Sequence, residues 1–153
     1  MGLPLKQAHK YPSINYLFLG LIGASSTLSF SPFNIKLTIL FSLIILIYSV
    51  VNAINFSQAV KRSFAWGLGY WISGTGWLIV SIYFYGKTYL ITSIVIILLM
   101  GILLSIVFIA PISLIKLVKP NKDIFTSSIL FASFLTILEL SRFVLFGFPL
   151  HLV

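Results

Sequence analysis

The chain has 153 residues, 59% of them hydrophobic and 8% charged, with a mean hydropathy of +1.13. That composition excludes an ordinary soluble domain and points to a polytopic membrane protein. Ten Lys and Arg against two acids give a net charge of +8, and the lack of any cysteine excludes disulfides, thiolate metal sites and a cysteine nucleophile from these residues.

Residues 1–13 read as a basic arm carrying Lys6 and Lys10, with Pro4 and Pro12 set against a helix interior. Residues 14–30 are the first apolar run, short for a span. Basic residues before it and Gly23-Ala24-Ser25-Ser26 near its end also resemble a signal peptide, but the spans that follow favour a retained anchor. Ser31-Pro32-Phe33-Asn34 breaks the helix, because Pro32 has no amide hydrogen and pushes Ser31 toward extended geometry. Residues 37–54 form the second run, so close behind the break that the first two helices make an antiparallel hairpin. Residues 55–63 are a polar gap holding Lys61 and Arg62.

The third run, 64–85, organises the rest. It contains no charged residue, and Gly67, Gly74 and Ser81 recur every seven positions with Gly69, Ser73 and Gly76 beside them. Small side chains let membrane helices approach closely, so Gly67, Gly74 and Gly76 are read as a packing face at the centre of a bundle. Trp66, Tyr70, Trp71, Trp77, Tyr83 and Tyr85 are expected to cover its other faces and ends; interfacial aromatics on a lipid-anchored span give the same pattern. After a turn at Gly86-Lys87, residues 89–115 make a fourth run longer than a bilayer needs, expected to tilt, overshoot or bend near Pro111. A second polar gap carries Lys116, Lys119 and Lys122, and residues 124–149 make the fifth run, interrupted by Glu139 and Arg142.

The expected fold is therefore an all-α polytopic transmembrane bundle of about five spans: a basic arm over 1–13 and a helical membrane domain over 14–153. The basic residues fall in the short gaps, which marks them as a topology signal facing anionic lipid rather than a nucleic-acid surface. Lys6, Lys10, Lys61, Arg62, Lys116, Lys119 and Lys122 share one side of a five-span chain, against Lys36, Lys87 and Arg142 on the other. The bias places the N-terminus in the cytoplasm.

Catalytic chemistry is poorly supplied. Glu139 and Arg142 are three residues apart on one helix, so they can pair; either they contact substrate or they neutralise one another at the outer interface. His9 and His151 fall on opposite sides of the membrane, which leaves no metal site, and no serine has an activating His and Asp. Neither a catalytic residue nor a cofactor is assigned.

Three segments carry a resemblance: Leu28-Ser29-Phe30-Ser31-Pro32-Phe33; Gly74-Thr75-Gly76-Trp77-Leu78-Ile79-Val80-Ser81-Ile82 followed by Gly86; and Glu139-Leu140-Ser141-Arg142 followed by Gly147-Phe148-Pro149. In order and spacing they resemble the N-terminal membrane region of bacterial apolipoprotein N-acyltransferases. The departures are Ile79 in place of an aromatic, no glycine after Arg142, a spacing one residue shorter from Arg142 to Gly147, and Leu150 in place of a tryptophan. The resemblance implies the bacterial inner membrane and a role in lipoprotein maturation by phospholipid-to-lipoprotein acyl transfer. It also implies that Trp77, Ser81, Glu139, Arg142, Gly147, Phe148 and Pro149 contact lipid or substrate or keep the motifs in shape. In that family a nitrilase-like domain with a Glu-Lys-Cys triad does the chemistry. With no cysteine here, the expected partners are membrane phospholipid, a lipoprotein substrate and a separately encoded nitrilase-like domain. The competing expectations are a small non-catalytic membrane scaffold and a small transporter using Glu139 and Arg142.

Overall fold

The turn residues decide where the helices stop. The computed structural model describes residues 15–118 and 124–146, and among them every regular element is helical. In chain order these are α1 (Tyr16–Ser25), a 3₁₀ turn (Ser26–Ser29), α2 (Leu37–Val51), α3 (Phe56–Thr75), α4 (Leu78–Phe84), α5 (Leu90–Val118) and α6 (Ile124–Phe146). One stretch, Leu90–Leu117 within α5, is long and apolar enough to cross a bilayer. The basic arm at 1–13, Lys119, Lys122, Asp123 and His151 lie outside the described residues.

The first run is shorter as an α-helix than the apolar stretch suggests. Asn15 caps α1 by accepting the Leu17 amide, and the chain tightens into the 3₁₀ turn from Ser26, before Pro32. Ser31–Pro32 is a cis peptide bond, and Asn34 takes a left-handed conformation that asparagine tolerates.

The polar gap at 55–63 is not a loop but the first two turns of α3. Asn55 accepts the Gln58 amide at 2.8 Å, and the Gln58 side chain accepts the Ile54 amide at 2.7 Å. The first satisfies an amide that a helix start leaves orphaned, and the second ties the incoming chain to the first turn. The third apolar run, expected as one helix, is two. The ladder tightens to three-residue bonds, Gly76 to Ser73, Ile79 to Gly76 and Val80 to Trp77, and α4 begins after the break. Gly74-Thr75-Gly76 is the reason: two glycines and a β-branched residue are weak helix formers. The fourth run remains helical through Pro111, as α5.

α3 is the hub, with α1 and α5 packed along its length. The α1 contact is backbone to backbone. A Cβ on Gly69 would run into the carbonyl of Gly20, and a Cβ on Gly23 into that of Trp66. On the α5 side a Cβ on Gly101 would come within 2.8 Å of the Ile72 side chain. Buried hydroxyls then join the first three helices. Ser42 on α2 accepts from Ser26 at 2.6 Å and from the Trp66 indole at 2.8 Å, and donates to the Ile22 carbonyl at 2.9 Å. Its proton and both lone pairs are used, as burial demands.

The C-terminus of α2 is closed just as fully. A helix leaves its last four carbonyls without partners. Here the Asn52 amide takes Tyr48, the Ala53 amide takes Val50, Arg62 reaches Ser49 at 2.7 Å and Lys116 reaches Val51 at 3.1 Å. Two cations at the negative end of the helix dipole also lower its electrostatic energy. Arg62 is only 2% exposed, so α3 brings a charge into the interior to do this.

Candidate functional site

At the end of the bundle away from Arg62, the chain breaks twice at the same level. The 3₁₀ turn and the loop at 30–36 end the first run, and the α3–α4 junction interrupts the third. Between these breaks lies a partly open cavity of about 660 Å³. That is within the ~300–1,000 Å³ of small-molecule pockets. Its walls come from Thr27 to Phe33, from Tyr70 to Leu78, and from Met100 and Leu104 on α5. Both breaks line the cavity.

The back wall is held by stacked aromatics. Trp66 and Tyr70 stack at 5.2 Å, Tyr70 meets Trp71 edge-on at 5.1 Å, and Phe30 lies 6.4 Å from Tyr70. Such pairs contribute roughly 0.5–1.5 kcal/mol each beyond the area they bury. The expectation that these rings cover outer faces and ends of the third run holds for Trp77, Tyr83 and Tyr85, which are exposed, but Trp66, Tyr70 and Trp71 are core. At the mouth, Phe33 and Trp77 are 63% and 67% exposed.

Among the described residues no charged side chain lines the cavity. Three of its hydroxyls have spent their protons inward. Thr27 donates to the Ala24 carbonyl at 2.7 Å, so Ser73 is the donor across the 3.0 Å contact to Thr27, and Thr75 donates to the Trp71 carbonyl at 2.7 Å. Ser31 and Tyr70 also belong to the lining, and most of the wall is aromatic and aliphatic carbon.

The residues singled out in the sequence are scattered relative to this site. Trp77 stands at its mouth, at the N-cap of α4, and Gly74 forms part of its wall. A Cβ on Gly74 would meet only the Thr27 methyl at 3.5 Å, an ordinary contact. Gly76 is the C-cap of α3 at the break itself, and a Cβ on Gly67 would come within 3.3 Å of the Ser105 side chain on α5. Ser81 is half-buried on α4, away from the lining. Glu139 and Arg142 are on α6, with side chains outside the described residues, as are Gly147, Phe148 and Pro149 altogether. Among the described residues no group of three or more His, Asp or Glu could hold a metal.

Sequence reasoning missed three things. It did not single out the hydroxyl pair Thr27 and Ser73, which has no local pattern. It missed Met100 and Leu104, which look like any other apolar residue of α5. It also missed Gly20 and Gly23 as the seat of the closest helix contact, although Gly20-x-x-Gly23 carries small residues at helical spacing.

The first two segments of the sequence resemblance, 28–33 and 74–82, thus meet around one cavity. The family model of the apolipoprotein N-acyltransferase N-terminal domain matches residues 22–153, from within α1 through both segments and α6. No curated protein matches the chain. On that match, over most of its length, the chain belongs to the family of apolipoprotein N-acyltransferase N-terminal domains, a membrane-associated family.

Proposed function

We propose that the chain is the membrane-embedded platform of a phospholipid-to-lipoprotein acyl transfer system in the bacterial inner membrane. It crosses the membrane about five times with its N-terminus in the cytoplasm. Its partners are phospholipid, a lipoprotein substrate and a nitrilase-like domain that is not among these residues. The observation that carries this reading is the family match over residues 22–153. The charge bias agrees with it, and so does the meeting of Arg62 and Lys116, from the two polar gaps, on one end of α2. Trp77, Ser81, Glu139, Arg142 and the Gly147-Phe148-Pro149 turn are proposed to keep contact with lipid or substrate on the outer side.

The platform does not itself catalyse transfer. Thioester chemistry needs a thiolate, a base that generates it and donors for the oxyanion, and no cysteine is present to begin the sequence. The purified chain in phospholipid micelles should leave a diacylated lipoprotein peptide unmodified, and adding a nitrilase-like domain should bring transfer above that of the domain alone. Turnover by the 153 residues alone, or no enhancement by them, would sink the assignment. Topology is tested separately. Single cysteines at Lys61 and Lys119 should be shielded from an impermeant thiol reagent in intact cells, while one at Lys87 reacts; the reverse pattern overturns the orientation.

A further inference from the structure

We infer that α4 is a hinged lid on the cavity: it pivots at its fastened C-terminal end, takes up slack at Gly74-Thr75-Gly76, and swings Trp77 and Leu78 from the open mouth toward the 30–36 loop. The lid is independent of any acyl-transfer role, because it follows from how α4 is attached. α4 has seven residues and buries none of them, and it packs chiefly against α5. Few buried contacts mark an element that moves at low cost. Its N-terminal end is loosely joined. No side chain caps it, and the Gly76 and Val80 amides reach Ser73 and Trp77 at 3.4 and 3.3 Å, beyond the ~2.7–3.2 Å of ordinary N–H···O bonds. Two glycines supply backbone freedom there, and a Cβ on Gly74 would meet only the Thr27 methyl, so the joint has room.

The C-terminal end is fastened. The Tyr85 amide keeps a full α-helical bond to Ser81 at 3.0 Å. Thr88 donates to the Ile82 carbonyl at 3.0 Å and lies 3.1 Å from the Ser93 hydroxyl on α5. A Cβ on Gly86 would strike the Ile82 carbonyl, so only glycine lets the turn fold this tightly onto α4. The opposite lip of the mouth is fixed as well. The Phe33 and Asn34 amides both bond the Phe30 carbonyl, and the Ile35 amide bonds that of Leu28, at 3.0–3.1 Å. Motion is thus left to the N-terminal end of α4, the end that carries Trp77 and Leu78 at the cavity. Trp77 and Phe33 are both largely exposed, and bringing one against the other covers two aromatic faces that the open form leaves uncovered. The same stroke shuts the mouth, so α4 sets access to the cavity. Lid motions of this kind run on microsecond to millisecond timescales.

The test is fluorine NMR of the full chain in phospholipid nanodiscs, with fluorotryptophan at its three tryptophans. Trp77→Phe assigns the lid signal, and the buried Trp66 and Trp71 serve as internal references. Trp77 should give two exchanging signals, one broadened strongly by dissolved oxygen and the other shielded from it, while Trp66 and Trp71 give one each. Gly74→Ala, alone or with Gly76→Ala, stiffens the joint and should merge the two Trp77 signals into one. Thr88→Val frees the fastened end and should change their ratio. Circular dichroism and thermal unfolding identify which variants fold, and Gly74→Ala, whose methyl makes an ordinary contact, keeps the test available if the double variant does not. A single Trp77 signal without relaxation dispersion overturns the lid. Two signals insensitive to the glycine variants or to Thr88→Val mean that the indole flips on a static helix, which overturns it equally. Doubling of Trp66 and Trp71 alongside Trp77 puts the motion in the whole bundle and not in α4, with the same consequence. The readout involves no acyl transfer, so its failure leaves the platform reading to its own test.

Discussion

The two ends of the α2–α3 pair are built in opposite ways. At the basic end all four terminal carbonyls of α2 have donors, two of them cationic side chains, one from the next helix and one from α5. At the other end the first and third runs both leave α-helical geometry, and the space between them stays open. One end uses charge to close backbone bonds and the other uses weak helix formers to release them. Glycine thus has two separate uses in this chain. Gly20, Gly23 and Gly69 bring helices together, whereas Gly74 and Gly76 interrupt one.

Substitutions at the two kinds of glycine should separate these roles most strongly. Gly69→Leu drives a side chain into the backbone of Gly20, which cannot yield as a side-chain tip would. Overpacking typically costs ~1–3 kcal/mol and more where backbone must move. The variant should lose its cooperative thermal transition in detergent and elute as aggregate, while Gly74→Ala elutes as wild type. Similar melting of the two would erase the distinction.

Arg62→Met comes next. It keeps most of the side-chain volume but leaves the Ser49 carbonyl without its donor in a buried place. A hydrogen bond to a charged group contributes about 1.5–3 kcal/mol, and a fall in thermal stability of that order is expected. Lys116→Met should cost less, about 0.3–1 kcal/mol, because its bond to Val51 is only part-buried and acts mainly on the helix terminus. An Lys116 effect larger than that of Arg62 would show that the end is closed from α5 rather than from α3.

One further small effect has the opposite sign. Gly74→Ala adds a methyl that meets only Thr27 and improves helix propensity beside the break. It should stabilise the chain by about 0.5–1 kcal/mol, measured by thermal unfolding. A destabilisation of that size would mean that the break is strained rather than merely permitted.

Much of the local architecture was legible. Ser31-Pro32 ends the first run and Gly86-Lys87 lies in the turn between α4 and α5, because proline lacks a donor and Lys87 adopts a positive φ after a flexible glycine. The capping pair Asn55 and Gln58 was legible as well, yet the charges at Lys61 and Arg62 made the same stretch read as a polar gap. Composition cannot distinguish a charged loop from a charged helix start, while a cap pattern can. The break at Gly76 was written in Gly74-Thr75-Gly76, but an uncharged run of membrane length outweighed it.

The all-helical class, the family segments, the turns at 30–36 and 86–87 and the lack of a thiol could all be read from the residues alone. These depend on hydropathy, propensity and residue identity, all of which are local or compositional. Only the tertiary structure decided that Arg62 and Lys116 share the end of α2, that Gly69 rather than Gly74 lies in the tightest contact, and that Phe30, Tyr70, Trp77 and Leu104 enclose one space. Each of those depends on how one helix is rotated and shifted against another. Small residues that permit a close approach do not say which neighbour makes it, so register is settled by packing over the whole interface and not by any one stretch of chain.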